Sequence, residues 1–404
     1  MMCYGVPPMI PIPYCLNIHP GEGLAAVREA IERHALAVKA RVSPDAPYPL
    51  GLRLAASAAK ELSSDPAVLE AFEELLARHD LFVTGINGFP YGAFHNTPVK
   101  TAVYEPDWST LDRLTYTNRL AGILAALLPE GHTGNISTVP LGYRPSPTET
   151  RPLAKMYARQ LALVAGFLLD QLRKEMGCEI VLALEPEPDC AIESTDEMIA
   201  WFEDELLSEG IGWLSANGRR TRDEAEALLR RHIGVCLDTC HFAVGFEDPL
   251  TALIRFESAC IRVARVQLSA AIRTTISDES ISRLRAFIDP VYLHQTKIRL
   301  PRGRIVSLPD LTEAMLETAR AHSGCELRTH FHVPLFYDGD DTLGSTNVDL
   351  TPEFFAHVRK QGYPLEIETY TFDVLPPALR AAHVVDSLVR EHEWVAERYA
   401  TTHS

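Results

Sequence analysis

Short apolar, β-branched runs alternate with longer helical patterns along almost the whole chain, and this alternation limits the fold more than any other feature. Strands are predicted at 14–19, 51–55, 81–89, 134–139, 179–186, 233–241, 261–268 and 365–370. Between the first two, residues 24–42 keep Leu24, Val27, Ile31 and Val38 on one helical face. Residues 65–80, 107–128 and 152–176 repeat that design. Strand and helix in strict turn predict a parallel sheet covered by helices. Eight strands, with no G-x-G-x-x-G turn opening a helix, predict an α/β fold closed as a (β/α)8 barrel rather than a doubly wound dinucleotide fold.

Such a barrel takes about 250 residues, and this chain has 404. A single domain over 1–404 is expected, with the barrel at about 14–372, an insertion at about 272–337 between the last two strands, and a C-terminal helix at about 376–399. The insertion carries a basic stretch, HQTKIRLPRGR (294–304), and a strand-like run, ELRTHFHVPLF (326–336). With 46% hydrophobic and 23% charged residues the chain can bury a large core. Its apolar stretches are broken by charge well short of the roughly 20 residues that a membrane span needs, so no transmembrane helix is expected. The N-terminus, MMCYGVPPMIPIPYC, lacks a basic region before its apolar residues and is rich in proline. It does not read as a secretory signal, and a cytoplasmic location is the expectation. The eight cysteines, at 3, 15, 178, 190, 236, 240, 260 and 325, include no C-x-x-C pair and predict reduced thiols. A net charge of −16 repels polyanions, so no nucleic-acid partner is expected.

The residues with chemical potential gather where predicted strands end, the place where barrel active sites are assembled. VLALEPEPD presents Glu185, GVCLDTCHF presents Asp238 and His241, and LEIETYTF presents Glu366 and Glu368. Glu368, nearer the strand exit, is the better ligand candidate of the last two. Carboxylates converging in a barrel mouth repel one another unless a cation lies between them. Hard oxygen donors with one or two nitrogens suit Mn, Mg, Co or Zn. His241 can contact a substrate oxygen or a second metal, or simply cap the following helix. His330 and His332 in THFHVP share one side of an extended run, a spacing that chelates but that also occurs on surfaces. Gln267 in RVQLSAA offers an amide oxygen as a ligand or as a polar wall residue. Asn87, Tyr91 and His95 in NGFPYGAFHNTPVK suit a wall for a polyhydroxylated ligand or an ordinary loop. His19 ends the first strand and is a weaker pocket candidate.

At these residues the chain resembles the xylose-isomerase-like barrel superfamily, which includes sugar isomerases, ketose epimerases and endonuclease IV. Glu185 in ALEPEP, Asp238 and His241 in CLDTCHF, Gln267 in VQLSAA and Glu368 in EIET match the order in which that superfamily presents its metal ligands. His330-Phe331-His332 resembles the Asp-x-His element that completes the endonuclease IV metal cluster, and the likeness spans roughly residues 14 to 372. With INGFPYGAFHNTPVKTAVYEPDW, NISTVPLGY and RTHFHVPLF added, the chain looks more specifically like the EboE family of metabolite traffic proteins. That resemblance implies the handling of a small metabolite precursor beside a UbiA-type membrane prenyltransferase. Gln267 departs from the superfamily's usual histidine, and the early-strand histidines of endonuclease IV have no counterpart, so a DNA-repair nuclease is not expected.

The leading expectation is a metal-dependent isomerase or epimerase acting on a sugar, polyol or sugar phosphate. Glu185 and Glu368 would move the proton as catalytic groups. His241, His95 and Asn87 would bind substrate. Glu185, Asp238, Gln267, His332, Glu368 and His330 would form the metal donor set. Arg265 or Arg328 would hold a phosphate. The alternatives are a metal-dependent phosphoesterase or other hydrolase on the same barrel, and a non-catalytic carrier that binds a metabolite.

Overall fold

Seven strands form one all-parallel sheet in the order Leu365–Ile367, Arg262–Leu268, Ile233–Asp238, Glu179–Leu184, Thr133–Thr138, Gly85–Asn87 and Leu52–Arg53. The computed structural model describes residues 12–95, 97–144 and 150–400; Cys3 and the rest of residues 1–11 lie outside them. The two edges of the sheet do not stay open. Parallel bridges join Tyr14 to Ile367 and Cys15 to Gly51. Cys15 N donates to Ile367 O and Leu16 N to Gly51 O, both at 2.8 Å. The segment at 14 and 15 is therefore the eighth stave, and the sheet closes as a (β/α)8 barrel with no free edge.

Glu179–Leu184, reading EIVLAL, has the near-continuous apolar run of a strand covered on both faces. Its outer cover includes the π turn Val164–Leu169 and the helix Asp170–Met176, which continue from Thr150–Leu163. Helix starts follow from local chemistry. Asp65 caps Pro66–Arg78 with proline in the first turn, and Thr221 with Glu224 closes a capping box on Arg222–His232. Inside the barrel, Arg265 reaches Asn135 Oδ1 at 2.6 Å across two intervening strands, so these side chains point into the lumen. Room for them comes from Gly51 and Gly85. A Cβ on the former would press on Tyr14 O and Glu366, and one on the latter would collide with the Arg265 guanidinium.

Several predicted strands are shorter or differently placed than their patterns suggest, 51–55 among them, reduced to Leu52–Arg53. After Tyr14 and Cys15 the chain turns into the 3-10 helix Leu16–Ile18. The 81–89 run divides: Leu81–Phe82 pairs with Tyr48–Pro49 outside the barrel, and Gly85–Asn87 enters it. The 233–241 run stops at Asp238, whose carboxylate accepts from His241 N at 3.0 Å and caps the helix Thr239–Val244. The last barrel strand ends at Ile367. The C-terminal helix is Val384–Ala400, later than 376–399 suggests; after Leu375 the chain makes a turn in which Leu379 N and Arg380 N both donate to Pro376 O. No helix among the described residues is long and apolar enough to cross a membrane.

After Leu268 the chain leaves the barrel for a five-stranded antiparallel sheet. Its order is Ile305–Leu308, Thr296–Arg299, Glu326–Thr329, Ile272–Thr275 and Gly344–Ser345. This sheet docks on the loops at the C-terminal ends of the barrel strands. Lys297, from the basic 294–304 stretch, pairs with Asp189 at 2.5 Å and Glu193 at 3.1 Å. Arg328 donates to Ala243 O at 2.8 Å. The segment 330–332, which directly follows the strand Glu326–Thr329, is thereby brought over the barrel mouth.

Candidate metal centre

Glu185, Asp238 and Glu368 come from three different strand ends, yet one oxygen from each lies within 4.8 Å of the others. All three are buried. Asp238 Oδ1 accepts from Ser269 Oγ at 2.7 Å, and Glu368 Oε1 accepts from Asn17 Nδ2 at 2.6 Å and Asn87 Nδ2 at 3.3 Å. The remaining oxygens, Glu185 Oε2, Asp238 Oδ2 and Glu368 Oε2, have no hydrogen-bond partner. Burial, then the charge of Asp238 and Glu187, holds the Glu185 carboxyl well above the usual range. Burial, then Glu185 and Asp238, does the same to Glu368. For Asp238 burial also pushes upward, but the facing His241 and His332 and the Ser269 hydroxyl bring it below its ordinary value. Three buried carboxylates with orphaned oxygens turned together are costly unless a cation joins them.

Three histidines complete the picture. His241 Nδ1 lies 3.1 Å from Pro186 O, His332 Nδ1 3.0 Å from Glu368 O, and His330 Nδ1 2.8 Å from Gln295 Oε1. The Gln295 amide is oriented by its Nε2, which donates to Tyr104 Oη at 2.6 Å and Pro188 O at 3.1 Å. Every one of these acceptors is a carbonyl oxygen, so each Nδ1 carries the proton and each Nε2 presents a lone pair. His330 Nε2 and His332 Nε2 face each other at 3.1 Å. The Tyr370 hydroxyl, 3.3 Å from His330 Nε2, can serve one of these lone pairs and leaves that of His332. A proton is a poor bridge between them at neutral pH. Burial lowers His330 far below its usual range and His332 to about 4, with the neighbouring His241 lowering both further. Imidazoles fixed through Nδ1 to carbonyl groups, with Nε2 free, are the usual outer support of a metal site.

The donor groups overlap. Glu185, Asp238 and Glu368 form an oxygen-rich set; Asp238, His241 and His332 form a mixed one; Glu187, His241 and His330 form a third, and Cys240 approaches His330 and His332. Orphaned carboxylate oxygens beside unprotonated imidazoles fit a divalent cation of the Mn, Co or Zn type. The centre is the floor of a cavity of about 490 Å³ that opens to solvent. Glu187 also faces this cavity. Burial raises its carboxyl against the pull of His241 and of the Tyr104 hydroxyl, which donates to it at 2.7 Å.

Most of the residues singled out in the sequence meet here: Glu185, Asp238, His241, His330, His332 and Glu368, with Asn87 beside Glu368 on the cavity wall. Gln267 does not join them. It stays inside the barrel, fully buried, where Oε1 accepts from the Cys236 thiol at 2.9 Å. His332, delivered from the antiparallel sheet, supplies the imidazole that the barrel strand lacks. His95 is a strut rather than a wall residue: its Nε2 reaches Asn17 O at 2.6 Å and its Nδ1 takes the Tyr292 hydroxyl at 2.9 Å. His19 stacks on His34 and bonds Tyr14, and Tyr91 packs edge-on against Tyr116. Arg265 pairs with Glu366 at 2.6 Å inside the barrel, and Arg328 pairs with Asp349 and Glu326. Neither arginine lines the cavity.

Glu187, Asn17, Tyr104, Gln295 and Tyr370 carry functional positions that the sequence reading passed over. Glu187 had a signal: it lies two residues beyond Glu185 in ALEPEP, at the same strand end. Gln295 had none, because its role depends on a loop meeting His330 through tertiary packing.

No family model matches the chain, and no curated protein does. Among solved structures it is similar to a crystal structure of IolI protein with a bound zinc atom, at 10% identity over 98% of this chain and 99% of that one, with a TM-score of 0.47. It is also similar to apo 3-keto-D-glucoside 4-epimerase, YcjR, from E. coli, at 12% identity over 86% and 89% of the chains, with a TM-score of 0.42. A third is an AP endonuclease of family 2 from Brucella melitensis, at 14% identity over 64% and 79%, with a TM-score of 0.35. Likenesses this loose carry no argument about chemistry.

Proposed function

We propose that this protein is a metal-dependent isomerase or epimerase that moves a proton on carbon beside a carbonyl group. The observation that carries the reading is the pair Glu185 and Glu368. Both carboxyls are buried in the cavity floor, both are shifted upward, and each has an oxygen without a partner. Burial that raises both carboxyls favours the form that holds a proton, which suits a group that takes a proton from carbon and gives it back. One of them takes the proton from carbon. The electron pair of that C–H bond becomes a C=C bond, and the carbonyl oxygen gains the charge or a proton. The other carboxyl then returns a proton, to the opposite face for epimerisation or to the neighbouring carbon for isomerisation. No oxidant or reductant is needed. A divalent ion held by Glu185, Asp238, Glu368 and His332 would supply Lewis-acid polarisation of the carbonyl and the adjacent hydroxyl. Asn17 and Asn87 fix Glu368 Oε1, and His241 presents Nε2 to the substrate side.

A second reading is a two-metal hydrolase or phosphoesterase. It is favoured by the separate Glu187, His241 and His330 donor group next to the oxygen-rich one. Membership of the xylose-isomerase-like superfamily, a cytoplasmic location, and the EboE-type hand-over of a metabolite to a UbiA-type membrane partner belong to the same proposal and rest on the sequence.

Elemental analysis of the purified protein and of its Glu185→Gln and Asp238→Asn variants, with proton–deuterium exchange on α-hydroxyketones, tests the reading. Bound metal that is lost in the variants, together with exchange abolished in Glu185→Gln and in Glu368→Gln, is the expected result. Two ions per chain with phosphoester cleavage and no exchange would move the assignment to the hydrolase. No metal after reconstitution with Mn, Co or Zn would leave only the non-catalytic carrier.

A further inference from the structure

The floor and the walls of the cavity differ sharply in chemistry. Above the carboxylates and histidines the lining is apolar: Phe89, Pro90, Phe94, Val99, Val103 and Leu293. Three tyrosine rings and the amides of Asn17 and Asn87 complete the lining; the tyrosine hydroxyls are already engaged, and Asn17 Oδ1 is the one amide oxygen here without a partner. Tyr104 donates to Glu187 at 2.7 Å, Tyr292 to His95 at 2.9 Å, and Tyr370 lies 3.3 Å from His330 Nε2. A free sugar, with hydroxyls on every side, would bury several of them against carbon without partners, and each such loss is costly.

Cations are missing from this lining as well. Neither lysine nor arginine is among the described residues that form it. The nearby lysines are committed, while Arg53 keeps its buried Nε and Nη1 without hydrogen-bond partners. Lys100 donates to Asp289 O at 2.9 Å, Tyr292 O at 2.7 Å and Asp310 Oδ2 at 2.7 Å. Lys297 is taken by Asp189 and Glu193. Arg53 is buried, with its guanidinium 5.9 Å from the centre of the Phe94 ring and its Nη2 donating to Gly92 O at 2.7 Å, and it does not line the cavity. Even two divalent ions would only neutralise the four carboxylates of the centre, Glu185, Glu187, Asp238 and Glu368, leaving no cation in the lining to balance a phosphate dianion.

We infer that the substrate is an uncharged, amphipathic molecule: a hydroxyketone or equivalent vicinal-oxygen head that meets the floor, on an aromatic or alicyclic body that lies against Phe94, Phe89 and Leu293. Sugar phosphates and free sugars are excluded by the same walls. This rests on the proton-transfer reading for the head group and on the wall chemistry for the body.

The test is calorimetric titration of the zinc-loaded protein with phenacyl alcohol, erythrulose, dihydroxyacetone and dihydroxyacetone phosphate, which share an α-hydroxyketone head. Phenacyl alcohol should bind roughly tenfold or more tightly than the other three, as burial of one aromatic ring predicts. Phe94→Ala should erase that preference while leaving dihydroxyacetone unchanged. Leu293→Lys, which adds a cation to the wall, should shift the preference toward the phosphate. Equal or tighter binding of erythrulose or dihydroxyacetone phosphate by the unmodified protein, or no saturable binding of phenacyl alcohol, would overturn the inference. Deuterium exchange measured on the same four compounds separates the two claims. Preferential binding of phenacyl alcohol without exchange on any compound removes the proton-transfer reading and keeps the substrate class. Exchange fastest on the phosphate removes the substrate class and keeps the reaction.

Discussion

The two ends of the barrel lumen bury charge in opposite ways. Deep inside, Arg265 and Glu366 form an ion pair at 2.6 Å, and Arg265 Nε donates to Asn135 Oδ1 at 2.6 Å. Burial disfavours the guanidinium charge, yet Glu366 more than compensates, and the arginine pKa is raised. At the mouth, Glu185, Asp238 and Glu368 are as deeply buried, and no lysine or arginine pairs with them: their spare oxygens are orphaned, and burial holds the His330 and His332 imidazoles unprotonated. The same lumen thus holds one charge cluster that is complete in itself and one that requires an external partner. Burial of charge alone does not mark a site; burial of charge left open does.

The largest effect that can break this comparison comes from the closed end. Arg265→Met leaves Glu366 buried without its partner and should destabilise the fold by about 3–5 kcal/mol. Adding Glu366→Leu should recover much of that loss, since replacing both ions with apolar groups is often near neutral. Metal content should be unchanged in the double variant. Urea denaturation with elemental analysis reads both. A double variant that loses metal along with stability would show that the two ends are not separate clusters.

A third buried carboxyl sharpens the contrast because it has neither a side-chain cation nor a metal-like donor set. Glu391, on the helix Val384–Ala400, accepts from Leu335 N at 3.1 Å and Thr369 Oγ1 at 2.7 Å, while Oε2 has no partner. Burial raises its pKa from 4.5 to about 7. Below the unfolded value both states are protonated, and the neutral group costs nothing extra. As pH climbs from 4.5 toward 7 the unfolded chain ionises first, and stability is lost. Above about 7 both states are ionised and the loss levels off at about 3 kcal/mol. Glu391→Gln keeps an acceptor oxygen and cannot ionise. Its denaturation midpoint should exceed that of the unmodified protein in mildly alkaline buffer, with the gap closing in acid. A gap that does not vary with pH would show that Glu391 does not titrate in this range.

The barrel and the open cluster were legible in the sequence to different depths. The closed sheet follows from the strand–helix alternation, because strands covered on both faces read as apolar runs that only helices can bury. Glu185, Asp238 and Glu368 were legible because carboxylates at the exits of such strands must face one another in a barrel mouth. Gln267 misled, since a strand position that matches a ligand by order can still stay below the mouth, engaged with Cys236. His95 misled as well: its loop folds back so that the imidazole bridges Asn17 and Tyr292. The apolar walls were invisible because they combine the 88–104 loop with the 288–295 segment, which are distant in sequence and joined by Lys100 and the Val99 N to Val291 O bond.

The smallest predicted effect lies at the edge of the open cluster. Gln295 does not line the cavity; it positions His330 by accepting from Nδ1 at 2.8 Å while its amide nitrogen donates to Tyr104 at 2.6 Å and Glu187 at 3.3 Å. Gln295→Leu removes that acceptor, so His330 loses the bond that fixes its tautomer and aims Nε2 at the centre. Affinity at the nitrogen-rich donor group should fall by roughly 10–100-fold, the range typical of outer-support changes. The oxygen-rich group of Glu185, Asp238 and Glu368 should keep its ion, since none of its bonds runs through Gln295. Competition against a chelator, followed by counting the ions that remain, resolves the two affinities. If both affinities fall together, the oxygen and nitrogen donors hold one ion between them, and the case for a two-metal hydrolase loses its structural basis.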